Sequence, residues 1–413
     1  MDYQELSKIF YMSAAPNRYA LIEEEAQQRR SMPSSIDVGI DTPSGRLFVA
    51  MPQELIALQE HVLKTERSVA IAADALPRFA RSALTRSLVL DEVVSTNAIE
   101  AIQSTRKQVQ DSLKATPSSD APARRFRELA RLYLAIGTAG ERLPRSVEDI
   151  RAIYDKVTEG EIPENERPDG KLFRASGVEI TAGNARVVHT GLEPESKIIA
   201  AIEGMLALVE NPDHSKMVAA IASHYVFEYI HPFYDGNGRT GRYLLSLFLS
   251  KVLSLATVLS LSRAIHENLP LYYGAFKSAE NPLNKGELTF FVRDLLHLVA
   301  EAQGRVTADM EASRHALGSA THALDQLAAT LGLPSKEQGI LLALAQCELF
   351  GMVGSMNLDE LAESIGVGKQ MARRYASRLE SRELITLASK RPLQFELSDE
   401  ARRALGIDAQ NLA

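Results

Sequence analysis

Apolar residues recur at three- and four-residue steps over 52–72, 87–114 and 123–138, the spacing that turns one helix face toward a core. A polar run, TPSSDAPA at 116–123, separates the last two. The first fifty residues lack this period and read as irregular. One hairpin is expected there around IDTPSGRLFVA, where Thr42, Pro43, Ser44 and Gly45 supply turn chemistry. Between Gly177 and Gly191 the period changes, and two short β-branched runs flank Ala182-Gly183-Asn184-Ala185, which predicts a second hairpin. Helical spacing returns in KMVAAIASHYVFEYI, where Val218, Ile221, Ala222, Tyr225 and Tyr229 share a face, and this helix runs into HPFYDGNGRTGR at 231–242. The pattern predicts a mainly α fold with a small β-hairpin and shows no internal repeat.

A helix-rich connector at 311–330 leads to a piece with its own pattern, 331–413. There LDELAESIGVGKQMARRYASRLESRELI reads as helix, tight turn at Gly366-Val367-Gly368 and helix, and LITLASKRPLQFELS as two strands around a turn. That is the order of a winged helix-turn-helix. Lys369, Arg373, Arg374, Arg378 and Arg382 make its second helix locally basic against Glu380, as a DNA-reading helix requires. Modules of this shape also dimerise or dock proteins, so DNA binding, a homodimer and protein docking all stay open.

Composition narrows the setting. A chain of 413 residues, 45% hydrophobic and 24% charged, is long enough for two or three soluble domains. The single cysteine, Cys347, forms no internal disulfide, and the N-terminus lacks a basic segment followed by an apolar run, so the expected location is the reducing cytoplasm. The most apolar window, YLLSLFLSKVLSLATVLSLS at 243–262, is long enough to span a bilayer, but Lys251 sits mid-run and five serines dilute it. A buried helix pair, with no membrane partner, is the expectation. The formal net charge of −7 gives no global attraction to nucleic acid and leaves only a local basic face for that purpose.

The chemistry concentrates in HPFYDGNGRTGR. Proline disfavours the helical conformation in the residue before it, so Pro232 should end the preceding helix and present His231 at the junction. Gly236, Asn237 and Gly238 permit a tight turn that brings backbone N–H groups close to a ligand. The chain is helical again from Arg239, so that turn lies at a helix N-terminus, where an anion, and phosphate above all, is favoured. Arg239 and Arg242, three apart, add charge-assisted bonds suited to a polyphosphate. Asp235 supplies one hard carboxylate for a nucleotide-bound Mg2+. His231, with a reference pKa of about 6.5, can accept a hydroxyl proton. Gly236 and Gly241 also have the spacing of the phosphate loop G-x-x-x-x-G-K-[ST], but Arg242-Tyr243 stands where Lys-Ser/Thr belongs, and a helix precedes where that loop needs a strand.

His231, Phe233, Asp235, Gly236, Asn237, Gly238, Arg239 and Arg242 fill every defined position of HxFx(D/E)GNGRxxR, so the stretch resembles the Fic family signature. The resemblance implies a helical Fic core over 120–310 that moves AMP from ATP, with Mg2+, onto a Ser, Thr or Tyr hydroxyl of a target protein, itself included. It makes His231 the base, Asp235 the metal ligand, and Gly236, Asn237, Gly238, Arg239, Thr240, Gly241 and Arg242 the nucleotide loop, with Arg242 toward the γ-phosphate. LYYGAF is loosely similar to a family stretch that supplies a further nucleotide contact, which makes Tyr272 or Tyr273 the candidate, with a place in the core as the alternative for either. The hairpin from Val178 to His189 resembles the flap that takes an extended target loop as an edge strand.

STNAIEAI at 95–102, in the N-terminal segment 1–119, resembles the inhibitory motif [S/T]xxxE[G/N] of regulated Fic proteins. Thr96 and Glu100 hold its defined positions, and Ala101 departs from it. The resemblance implies that Glu100 pairs with Arg242 and denies it to the γ-phosphate. The alternatives are a DNA-binding regulator with a nucleotide-sensing core, and a Fic enzyme that removes AMP or transfers another phosphate-containing group.

Overall fold

The computed structural model describes residues 3–114, 125–136, 138, 142–181, 187–351, 354–390 and 392–407. The polar break at 116–123, and with it the expected division after residue 119, lies outside them, as does the hairpin turn at 182–185. The chain divides into two compact units, Met1–Arg67 with Val89–Gln303, and Ser68–Leu88 with Gly304–Ala413. The fold is mainly helical, as the periodicity predicts.

In the first unit the N-terminus is not irregular. Helices α1 (Leu6–Met12) and α2 (Arg18–Arg30) pack through Leu6, Phe10, Ile22 and Ala26. Their period is hidden because one core position of α2 is charged. Arg29 is buried, and donates to Glu287 Oε2 at 2.9 Å and to the Gln4 carbonyl at 2.8 Å. The expected hairpin follows, β1 (Ile36–Thr42) antiparallel to β2 (Gly45–Val49), with Ile36, Val38 and Ile40 buried alternately as one face of the pleat requires.

Next come α3 (Gln53–Asp74) and α4 (Arg78–Ile99), which belong to this unit up to Arg67 and from Val89, then α5 (Arg106–Lys114), α6 (Arg127–Ala135) and α7 (Val147–Val157). The helical run expected over 87–114 is broken. α4 stops at Ile99, where Ile102 N donates to Asn97 O at 2.9 Å and Ala101 turns left-handed at φ 56°. This is a helix C-terminus of the kind that ordinarily carries glycine. The second hairpin is present, with β3 (Glu179–Thr181) antiparallel to β4 (Val187–Thr190) and Ile180 opposite His189.

Helices α8 (Glu195–Glu210), α9 (Lys216–Ile230) and α10 (Asn237–Leu249) form the centre of this unit. α9 is buried almost all round rather than on the one face that the pattern marks, as Met217 through Phe227 are without exception enclosed. The apolar window at 243–262 is divided among α10, α11 (Leu255–Val258) and α12 (Leu261–Glu267), and among the described residues no helix is long and apolar enough to cross a membrane. Its serines satisfy buried acids. Ser262 gives its N–H, at 2.9 Å, and its hydroxyl, at 2.5 Å, to Glu92, and Ser254 N donates to Glu66 at 2.7 Å. α13 (Leu269–Ala279) and α14 (Thr289–Leu331) follow, and the division between units falls at Gln303 within α14.

In the second unit α15 (Ser335–Phe350) precedes β5 (Ser355–Asn357), α16 (Leu358–Ser364), α17 (Lys369–Ser381), β6 (Ile385–Lys390), β7 (Leu393–Leu397) and α18 (Asp399–Leu405). The expected helix, turn, helix and hairpin are there, with Gly366 at φ 63° in the turn. β5 adds a third strand, in the order β5-β7-β6, that three residues of sequence were too few to signal.

Candidate functional site

Pro232 bars His231 from continuing the α9 helix, and the histidine caps it instead in the left-handed region, at φ 50° and ψ 63°, with its N–H on Phe227 O at 3.0 Å. Histidine tolerates this region better than most residues. Burial pushes the imidazole down from 6.5 to about 4, and His189 and Arg174 act in the same direction. The Glu228 carbonyl and the Glu100 carboxylate pull the other way without overcoming burial. The ring is therefore neutral at physiological pH and has a lone pair for a proton.

The loop after it is stitched by its own side chains. Phe233 is fully buried, stacked on Tyr154 with ring centroids 3.6 Å apart and tilted against Phe173. Asn237 Oδ1 accepts from Phe233 N at 2.9 Å, and its Nδ2 donates to Phe233 O at 2.8 Å. Gly236 caps α10 at φ 80°, and a Cβ there would lie 2.6 Å from Thr158 Cγ2. Thr240 donates to the Gly236 carbonyl through both Oγ1, at 2.8 Å, and N, at 3.1 Å. This is the first bond of the helix, and it leaves the N–H groups of Asn237, Gly238 and Arg239 at the mouth, where an anion is favoured.

Both arginines are buried, and each has an acid on it. Arg239 NH1 donates to Glu161 Oε2 at 2.8 Å. Arg242 NH2 meets Glu100 Oε1 at 2.8 Å, while its Nε donates to Thr96 Oγ1 at 2.8 Å and NH2 also to Thr96 O at 3.0 Å. Burial opposes the Arg242 charge, but Glu100, Tyr272 and Glu228 outweigh it and hold its pKa above the ordinary value. The Glu100 carboxylate also lies over Gly238, where a Cβ would collide with its Oε1. A carboxylate from the end of α4 thus occupies the mouth of the anion cradle.

Asp235 is exposed, and its Oδ1 accepts from Gly236 N at 2.6 Å. Among the described residues no three His, Cys, Asp or Glu gather as a metal cage. One exposed carboxylate beside the N–H groups of a helix N-terminus is a donor set that suits Mg2+ held chiefly by a phosphate-bearing ligand. Gly241 faces α9, where a Cβ would collide with Glu228 Oε1, so its missing side chain permits close helix packing. Tyr272 belongs to the core, its hydroxyl 2.8 Å from His224 Nε2, whereas Tyr273 is 51% exposed beside the end of α4, with its hydroxyl 3.5 Å from Ile99 O. In the hairpin, His189 lies between Tyr229 O, 2.8 Å from Nε2, and Glu280 Oε1, 3.0 Å from Nδ1.

Three residues of this site have no signal in the sequence reading. Glu161 neutralises Arg239, Arg174 bonds backbone around His231, and the enclosed Glu228 carboxyl, pushed by burial up to about 8, sits against Gly241. Only a demand that each buried arginine have a partner could have sought the first.

Residues 144–249 match the Fic/DOC family model, so the chain carries a Fic/DOC domain there. Domains of this family generally transfer AMP or other nucleotide-derived groups to proteins. The fold is similar to that of a Fic family protein from Desulfovibrio desulfuricans, 18% identical with a TM-score of 0.51, over 85% of this chain and 97% of that one. Fic-1 from C. elegans aligns at 18% identity and TM-score 0.43 over 62% of this chain and 76% of its own. A Fic domain containing signaling protein from Bacteroides thetaiotaomicron aligns at 16% and 0.42 over 60% and 97%.

Proposed function

We propose that this protein is a self-inhibited adenylyltransferase that moves AMP from ATP to a Ser, Thr or Tyr hydroxyl of a protein. The observation that carries the reading is the juxtaposition of a neutral histidine, an anion cradle, and an arginine of that cradle held by a carboxylate of another helix. The N–H groups at the start of α10 bind the phosphates, and Arg239 and Arg242 add charge once their acids yield. Mg2+ held by Asp235 would neutralise charge on the phosphates. His231 removes the hydroxyl proton as the oxygen bonds to the α-phosphorus. The bond from that phosphorus to the bridging oxygen breaks, and pyrophosphate leaves with the electron pair. The β3–β4 hairpin offers a strand edge to an extended target loop, the half-exposed Tyr273 beside the end of α4 contacts the nucleotide, and Glu100 holds the resting state.

The test is incubation of the purified Glu100→Gly protein with α-labelled and γ-labelled ATP and Mg2+, followed by mass spectrometry. Label retained from the α position alone, together with a mass gain of one AMP on a hydroxyl side chain, is expected. His231→Ala should abolish it while ATP binding persists, because the base acts on the acceptor and not on the phosphates. Retention of γ-label would refute adenylyl transfer, and parallel loss of ATP binding would remove His231 from the role of base.

A further inference from the structure

Arg174 is fully buried, yet no carboxylate is bonded to it among the described residues. Its guanidinium is spent on four backbone carbonyls. Nε donates to His231 O at 2.8 Å, NH1 to Ser176 O at 2.6 Å, and NH2 to Leu192 O at 2.7 Å and to Ile230 O at 3.3 Å. A buried cation is costly, and one whose hydrogen bonds all go to peptide carbonyls, with Glu193 near enough to favour its charge but not bonded to it, is retained where its geometry matters. Two of these carbonyls flank the β3–β4 hairpin, Ser176 before it and Leu192 after it. The other two end α9, at Ile230 and at the left-handed His231.

The backbone repeats the connection. Arg174 N donates to Pro232 O at 3.1 Å, Leu192 N to Ile230 O at 3.0 Å, and Gly191 N to Val178 O at 3.0 Å. Gly191 passes between the guanidinium and the histidine, where a Cβ would collide with Arg174 NH2 and stand 3.2 Å from His231 Cβ. The planar fork of arginine reaches all four carbonyls from one side chain, which the single ammonium of lysine cannot do in the same plane.

We propose that Arg174 is a positioning residue, a clamp that sets the hairpin carrying the acceptor in register with the helix end carrying His231. The proposal rests on the adenylyltransferase reading, in which the hairpin seats the target. The bonds of Arg174 run to the hairpin's flanks and to the end of α9, so in this reading it governs the approach of hydroxyl to base and leaves nucleotide binding to α10.

The experiment places Arg174→Met in the Glu100→Gly protein and measures self-modification with labelled ATP, the dissociation constant of Mg-ATP, and amide hydrogen exchange at Gly191 and Leu192. The rate is expected to fall about 100-fold, the cost of roughly an ångström of misplacement. The Mg-ATP dissociation constant should stay within about threefold. Exchange should accelerate at Gly191 and Leu192 and not within α10. Arg174→Lys should stay slow, because the charge returns without the fork. Should Arg174→Met fail to fold, Gly191→Ala makes the same test with the cation retained, by wedging a methyl group between clamp and histidine. A rate unchanged in the folded variant, recovery in Arg174→Lys, or ATP binding that weakens in step with the rate would overturn the clamp. If Glu100→Gly transfers nothing from ATP, the adenylyltransferase reading fails first. The exchange measurement still decides the clamp, since unchanged protection at Gly191 and Leu192 refutes it without any turnover.

Discussion

Replacing Glu100 by glycine should raise transfer, and its size can be worked from the contacts of Arg242. The guanidinium is held by one charge-assisted bond to Glu100 Oε1, at 2.8 Å, and by two bonds to Thr96 that the substitution leaves in place. A hydrogen bond of this charged type contributes about 1.5–3 kcal/mol. Arg242 is 2% exposed but the Glu100 side chain is 34% exposed, and solvent screening places this pair at the lower end. A difference of about 1.4 kcal/mol is tenfold in population, so a gain of about tenfold in self-modification is expected at saturating ATP. The assay is the initial rate of α-label incorporation. Arg242→Ala should cancel the gain in the double variant, because the arginine that Glu100 withholds would be gone. A folded Glu100→Gly protein that works at the wild-type rate, or a gain that persists without Arg242, would refute competition for that cation.

Asp235→Ala should raise the Mg2+ concentration for half-maximal rate by at least roughly tenfold, and an unchanged metal titration would remove Asp235 from the site. Ala101 stands left-handed at φ 56°, so Ala101→Gly should stabilise the fold by about 1 kcal/mol. A denaturant midpoint that falls or stays put counts against this strain. Because the His231 pKa lies at about 4, the acid limb of kcat/KM should have its midpoint near that value and not near 6.5. The same shift has a stability consequence. Between pH 6.5 and about 4 the unfolded chain binds a proton that the folded histidine refuses, so its contribution is present above 6.5 and lost as pH falls. Glu228 acts oppositely, protonated in the fold up to about 8 against 4.5 unfolded, so its contribution is lost as pH rises through that interval. The stability difference between wild type and His231→Ala isolates the histidine, and it should shift against wild type on acidification.

What the sequence by itself determined is local. Proline after histidine dictates a helix end, glycine before asparagine a tight entry to the next helix, and three- and four-residue spacing the helices on either side. The hairpins at 36–49 and 179–190 were legible for the same reason, since turn residues and β-branched alternation act over a few neighbours. The tertiary structure alone decided what depends on residues far apart in the chain. It broke the helix of 87–114 at Ala101 and set Glu100, 142 positions away in the chain, on Arg242, a pairing that the family resemblance implies but that no composition or local spacing gives. It made helix from the polar-looking segment at 18–30 by burying Arg29 against Glu287, and it turned two serines of an apolar window, Ser262 and Ser254, into partners for Glu92 and Glu66. It also gave Arg174 its four carbonyls, a role no composition or spacing could signal, since backbone acceptors are the same at every residue and only their convergence in space distinguishes them.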